Sequence, residues 1–203
     1  MQARTKYLIA ILVTAGVIVA FVAGGGRWYV QACLPLYAKS IELLAPQWRI
    51  DALTITQTRL DNIVKLDITP VRDYHVGLGI LRKGFTLTST TLTGHAIIHP
   101  IIILSLLLPW ILLRWRSRWY GLLMIVPLLV LVEMLDIPVV LVGALQDLIY
   151  ANVGPDLSPP WVVTAMTGLN GGGRLALAIA AALSVIAVTR GMEQHYAEKP
   201  VDR

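Results

Sequence analysis

Five side chains able to do proton, ion-pair or metal chemistry lie in or beside long apolar runs: His95, His99, Glu133, Asp136 and Arg174. In Gly94-His95-Ala96-Ile97-Ile98-His99-Pro100 two imidazoles four residues apart share one helix face, a spacing that can hold a metal ion. No Glu follows the first His as in helical zinc-protease motifs, so the pair is expected to be a hydrogen-bonded packing feature with no metal. Glu133 and Asp136 stand one helical turn apart in a run that is otherwise Leu, Val, Ile and Met. Carboxylates inside a bilayer cost about 3 kcal/mol each, so such residues are expected to be paired or functional. Counted at ~1.5 Å per residue from Tyr120, Glu133 is about 20 Å deep and Asp136 about 24 Å deep. His99 near the start of one apolar run and Arg174 at the start of another reach similar depths, which makes a polar cluster of the five residues geometrically available. The simplest arrangement is an internal ion pair in which Arg174 neutralises a carboxylate and hydrogen bonds register the helices. Two others stay open. One is a proton relay or substrate site; in the other the carboxylates meet a second subunit while Arg174 and the histidines reach lipid headgroups.

Other chemistry-bearing residues lack a matching pattern. Cys33 has neither a basic neighbour in sequence nor a matched base, and no second cysteine exists for a disulfide or a structural zinc site. No Gly-x-Ser-x-Gly elbow occurs, and Ser89 lies in a Thr-rich run. Gly171-Gly172-Gly173 before Arg174 follows no strand and lacks the Lys-Ser/Thr of a phosphate loop, so it reads as a loop or a close-packing site. No catalytic residue and no cofactor are expected from these patterns.

The elements that must hold the five residues follow from composition. Of 203 residues, 56% are hydrophobic and only 14% charged, against roughly 25% charged in average globular chains. The apolar residues are gathered into blocks, which predicts a membrane protein. The blocks are 7–23, 96–113, 120–142 and 171–189, the last reaching spanning length through its glycines; 143–170 is expected to be an outer loop. Within that loop Ser158-Pro159-Pro160-Trp161 signals a helix start with Trp161 as an interfacial anchor. A basic start and a Val22-Ala23-Gly24 ending also fit a signal peptide, but the first block exceeds the usual length of a signal core and is taken as a retained anchor.

Arg4, Lys6, Arg114, Arg116, Arg118 and Arg190 fall on one side of a four-span arrangement, and the positive-inside rule makes that side cytoplasmic. Both termini, including a tail at 191–203, are then cytoplasmic. The net charge of +5 sits mainly beside the spans, so nucleic acid is not expected as a partner. Trp110, Trp115, Trp119 and Tyr120 around the Arg114–Arg118 turn suit a headgroup-level belt.

Residues 24–95 differ in kind and fall outside the cytoplasm. Leu34 to Ala45 places Leu36, Tyr37, Ile41 and Leu44 near one helical face before Pro46 ends the run. From Trp48 the period becomes two, which predicts strands at Trp48–Thr56, Ile63–Thr69, Tyr74–Ile80 and Phe85–Thr91, with turns at Asp61-Asn62 and Arg82-Lys83-Gly84. Three or four of these are expected to form one small antiparallel sheet. It is too small for independent stability, so it is expected to lean on a partner or on its own helix and spans. The expected fold is a membrane α-helical bundle of four spans with a small extracytoplasmic α+β domain, mainly antiparallel β, between spans one and two.

The order of these elements resembles the membrane proteins associated with exosortases in Gram-negative protein-sorting systems, particularly the exosortase H-associated type. The resemblance covers most of the chain. It is carried by the N-terminal span, Leu34-Pro35-Leu36-Tyr37, Trp48-Arg49-Ile50, and Thr91-Leu92-Thr93-Gly94-His95-Ala96 running through His99-Pro100 into the second span. It implies an inner-membrane accessory of an enzyme that recognises a short C-terminal signal on exported proteins. That enzyme is expected to use a Cys, Arg and His set within more spans, and Cys33 lies outside such a setting, so the chain is not expected to be the transpeptidase. The leading expectation is a non-enzymatic accessory subunit contacting a polytopic exosortase-like enzyme or its exported substrates. A homo-oligomeric, proton-coupled transport component using Glu133 and Asp136 is the alternative. A metal-dependent membrane enzyme built on His95 and His99 is a third.

Overall fold

The computed structural model describes residues 2–58, 61–77, 79–113, 118–153 and 157–197. Helix α1 (Gln2–Ala20) passes through a wider π-helical turn at Phe21–Gly25 into α2 (Gly26–Leu44). Strands β1 (Trp48–Thr58), β2 (Asp61–Pro70), β3 (Tyr74–Val76), β4 (Gly79–Leu81) and β5 (Leu87–Leu92) follow. The chain then forms α3 (Thr93–Leu112), α4 (Tyr120–Val153), α5 (Trp161–Gly168), a second π-helical turn (Leu169–Gly173) and α6 (Arg174–Ala197). Four helical runs are long and apolar enough to cross a membrane: Arg4–Leu44, Thr93–Leu112, Tyr120–Val153 and Trp161–Gln194. These fit a multi-pass membrane protein.

Several expected boundaries move. The residues Gly24-Gly25-Gly26 do not break the first helix, because helical bonding continues through the π turn and the short helix expected at 34–45 is the end of a longer run. The stretch 143–170, expected as a loop, is helical to Val153 and again from Trp161. The fourth apolar helix therefore begins ten residues before the expected 171. Its glycines form the second π turn, in which Gly172 takes φ 114°, a conformation that side-chain-bearing residues rarely adopt.

The chain divides into two compact units. The first is drawn from Met1–Gly26, Ile98–Val132 and Leu175–Arg203. Its core is a row at i, i+4, i+8 on α3 (Ile103, Leu107, Ile111) against Ile125 and Val132 of α4 and Ala178, Ala181, Ala182 and Val185 of α6. Alanines on α6 let backbones approach closely. At one end of this unit the Arg118 guanidinium lies 3.9 Å from the centre of the Trp110 ring. Its Nε donates to Glu193 at 3.0 Å and its Nη1 to the Trp110 carbonyl at 3.0 Å. Arg114, Trp115 and Arg116, expected at the same turn, lie outside the described residues. Helix α1 exposes Tyr7, Leu8, Ile9, Ile11 and Leu12 and, among its described side chains, buries only the small Ala10 and Thr14, a distribution suited to lipid.

The second unit comprises Arg27–Ile97 and Glu133–Arg174. Its sheet has three antiparallel strands in the order β1-β2-β5, with Trp48 opposite Pro70, Leu53 opposite Leu66 and Leu66 opposite Ser89. A bulge between Ile50 and Ala52 shifts the register. The segment expected as a third strand of that sheet is instead a separate hairpin, β3–β4, and Asp61-Asn62 are paired strand residues opposite Thr58 and Gln57. Alternation puts Val64, Leu66, Ile68, Leu87, Ser89 and Thr91 on the covered face. That face belongs to one core with Val30, Tyr37 and Ile41 of α2 and Ile137, Leu141, Leu145 and Ile149 of α4. The Ser89 hydroxyl donates to the Leu141 carbonyl at 3.0 Å, tying the sheet to α4. Gly143 lets α5 approach, since a Cβ there would stand 2.7 Å from Met166 Cβ.

Candidate functional site: a buried carboxylate layer

The second unit gathers its membrane-type carboxylates in one buried layer. Glu133 and Asp136 are on α4, one turn apart, and both are fully buried. Tyr29 and Tyr37 on α2, eight residues and therefore about two turns apart, lie near one helix face. The Tyr29 hydroxyl donates to Glu133 Oε1 at 2.7 Å and the Tyr37 hydroxyl donates to Glu133 Oε2. Cys33, midway between them in sequence, is partly buried against the same core. One carboxylate thus receives an O–H donor on each oxygen, which compensates part of the cost of removing it from water.

Asp136 is held differently. Arg174, the first residue of α6, donates from Nε to Asp136 Oδ1 at 2.9 Å, with side-chain exposures of 9% and 0%. The π turn and the positive φ of Gly172 immediately precede this arginine, so the glycine run that carries no phosphate-binding pattern has a positional use: it starts α6 at the guanidinium. Arg174 Nη2 is buried and makes no hydrogen bond among the described residues.

Of the five residues singled out in sequence, Asp136 and Arg174 meet as an ion pair, where the expectation had Arg174 neutralise one carboxylate without choosing which. Glu133 joins α2 through the tyrosines. His95 Nδ1 is 3.0 Å from the Thr91 hydroxyl, a local contact across the strand-to-helix junction. His99 is fully buried and belongs to the first unit, whereas His95 belongs to the second. Sequence reasoning missed the tyrosines. The signal available was Tyr29-x-x-x-Cys33-x-x-x-Tyr37, three side chains at i, i+4, i+8 with hydroxyls at both ends.

The sheet carries a second set of acids on its open face. Asp51 accepts from the Thr69 hydroxyl and, at 2.9 Å, from Arg49 Nε. Asp67 accepts from Thr88 at 2.5 Å and from Lys65 at 2.9 Å. The Thr69 hydrogen bond, then Arg49, holds the Asp51 carboxyl below its ordinary value; the Thr88 hydrogen bond, then Lys65, does the same for Asp67. Among the described residues no group of three His, Cys, Asp or Glu side chains is placed to share a metal ion.

Comparison with known protein families, with curated proteins and with solved structures found no match to this chain.

Proposed function

We propose that this chain is a non-enzymatic, multi-pass inner-membrane accessory subunit that works with an exosortase-like protein-sorting enzyme, contacting that enzyme or its exported substrates. In this reading both termini are cytoplasmic and residues 24–95 are periplasmic, on the basic-residue bias of the short loops. The observation that carries it is the pairing of the buried acids within one chain. Glu133 is held by two tyrosine hydroxyls and Asp136 by Arg174. Acids fixed in this way serve as a frame that locks α2, α4 and the start of α6 together, and the frame positions the β-sheet for contact. The order of elements resembling exosortase-associated proteins supplies the partner class.

The experiment is affinity purification from a native host in mild detergent, with mass spectrometry of what is retained. Recovery of a polytopic sorting enzyme in fixed ratio is the expected result. Recovery of the chain alone, or only with itself, overturns it. A proton-coupled transport role then becomes the reading to test, through flux in Glu133→Gln and Asp136→Asn.

A further inference from the structure

The β3–β4 hairpin and its flanking loops stand at the end of the second unit away from the apolar spans. Leu87 at the start of β5 pairs with Ile68 and Leu92 at its end pairs with Ile63, after which α3 begins at Thr93. The loops at 71–73, following β2, and 82–86, preceding β5, are therefore about 20 Å along the strand from that helix. The hairpin rests on the last residue of α4, since a Cβ on Gly79 would stand 2.1 Å from Val153 Cγ1. Asp73 Oδ1 accepts the backbone N–H of Lys83 at 2.7 Å, which ties one loop to the other. A turn closed by the Phe85 N–H on the Arg82 carbonyl, with Gly84 at φ 87°, sets the second loop.

Two clefts open beside these loops. One of about 410 Å³ is lined by Gln47, Val71, Arg72 and Tyr74, and one of about 190 Å³ by Arg49, Val71 and Lys83, so Val71 borders both. The charges here do not cancel. Arg49, Arg72, Arg82 and Lys83 outnumber the acids beside them, Asp51 and Asp73. Asp51 is occupied by Thr69 and Arg49, and Asp73 by the Lys83 backbone. Among the described residues, Arg72, Arg82 and Lys83 make no side-chain ion pair. Val71, Ile80 and Phe85 are 48%, 55% and 55% exposed. Bulky apolar side chains left in water among uncommitted arginines are the composition of a protein-contact surface.

We propose that this end of the second unit is a docking site for an acidic segment of a partner protein, in which carboxylates are interspersed with apolar side chains. Arg72, Arg82 and Lys83 meet the carboxylates, while Val71, Phe85 and the clefts that Val71 borders receive the apolar side chains. Position and charge select this occupant. The loops lie away from the spans, and a second copy of the same surface would bring cations against cations. The proposal deepens the accessory reading by naming its contact surface and rests on that reading for what the partner does, whereas the surface itself is read from charge and exposure.

The test is fluorescence anisotropy on the full chain in phosphatidylcholine nanodiscs, with a labelled peptide in which glutamates are interspersed with leucines as the probe. The peptide is expected to bind at least about fivefold more tightly than its glutamine counterpart, as roughly one surface charge contact gives, and to lose the difference in high salt. The triple variant Arg72→Gln, Arg82→Gln, Lys83→Gln abolishes the difference, while unchanged hydrogen exchange in β1 and β2 certifies its fold. Phe85→Ser weakens binding of the leucine-bearing peptide but not of one with serine in place of leucine. Equal binding of the acidic and glutamine peptides overturns the proposal, as does a preference that the triple variant retains. Displacement of the peptide by inorganic phosphate at equal concentration overturns the peptide assignment. Co-purification separates this result from the accessory reading. A peptide preference without a recovered sorting enzyme keeps the docking surface and removes that reading, whereas a recovered enzyme without the preference does the reverse.

Discussion

Two sets of acids in the same unit answer the same problem in different surroundings. Glu133 and Asp136 are fully buried, whereas the Asp51 and Asp67 side chains on the open sheet face keep 28% and 19% of their exposure. All four accept hydrogen bonds from neighbouring side chains. On the sheet, water solvates a carboxylate whose partner is lost, so each pairing adjusts stability modestly. In the buried layer nothing replaces a lost partner. The contrast teaches that environment, and not the number of hydrogen bonds, decides which acid the fold depends on.

The largest break in that contrast comes from Arg174. Arg174→Ala leaves Asp136 buried without its cation and is expected to destabilise the protein by about 3–5 kcal/mol, the usual result of removing one partner of a buried pair. Replacing both members, Asp136→Leu with Arg174→Met, is expected to recover most of that loss, because an apolar pair of similar volume carries no desolvation cost. Unfolding in mixed detergent, followed by circular dichroism, measures both. A double variant as unstable as the single one would show that the pair does more than neutralise itself.

Next come the tyrosines. Tyr37→Phe removes the donor on Glu133 Oε2 from a fully buried side chain, with an expected loss of about 1–3 kcal/mol. Tyr29 is only partly buried, so Tyr29→Phe is expected to cost less, near the lower end of that range. A double-mutant cycle of Tyr37→Phe with Glu133→Gln isolates the coupling. Additive losses would mean that the hydroxyl packs without serving the carboxylate. Gly172→Ala tests the positioning of Arg174: a Cβ there meets open space, so the expected loss of about 1–2 kcal/mol comes from the positive φ alone.

Much of this frame was legible in the residues themselves. Apolar block length announced the four long helices, and the period-two run from Trp48 announced the strands. Depth counting along two helices brought Arg174 level with both carboxylates without choosing between Glu133 and Asp136. What was not legible depended on non-local packing. Gly24-Gly25-Gly26 looked like a break and Gly171-Gly172-Gly173 like the start of a span, a loop or a close-packing site, but a helix embedded among apolar neighbours tolerates glycine, and the run continues as π turns at both places. The 143–153 stretch was expected to be loop, yet Leu145 and Ile149 pack into the core and keep it helical, with Gln146 buried on the same stretch and Asp147 exposed. Whether Tyr74–Ile80 was one strand or two turned on Gly77, whose φ of 57° makes the hairpin bend. The tyrosine clamp needed α2 to be extended past Leu34 toward its start before Tyr29 and Tyr37 could share a face.

The smallest effects belong to the sheet acids, and pH separates them from the buried pair. Asp51 and Asp67 are held below their ordinary values by Thr69 and Thr88 first, then by Arg49 and Lys65. An unfolded Asp titrates near about 3.9, so the stabilisation from both is fully present above that value and is lost as pH falls from there through the lower folded values. Thr69→Val removes a donor from Asp51, raises its folded value toward the unfolded one, and flattens the acid limb of the stability curve; Thr88→Val does the same for Asp67. The loss falls near neutral pH, where the acids are ionised, and is expected to be small because both are solvent-accessible and Arg49 and Lys65 remain beside them; at the acid end the variants approach the parent. Unfolding midpoints measured from pH 7 to pH 3 read the effect. An acid limb as steep in Thr69→Val and Thr88→Val as in the parent would move the acid sensitivity away from the sheet face, whereas a flattened limb assigns it there and leaves the buried layer as a neutral-pH frame.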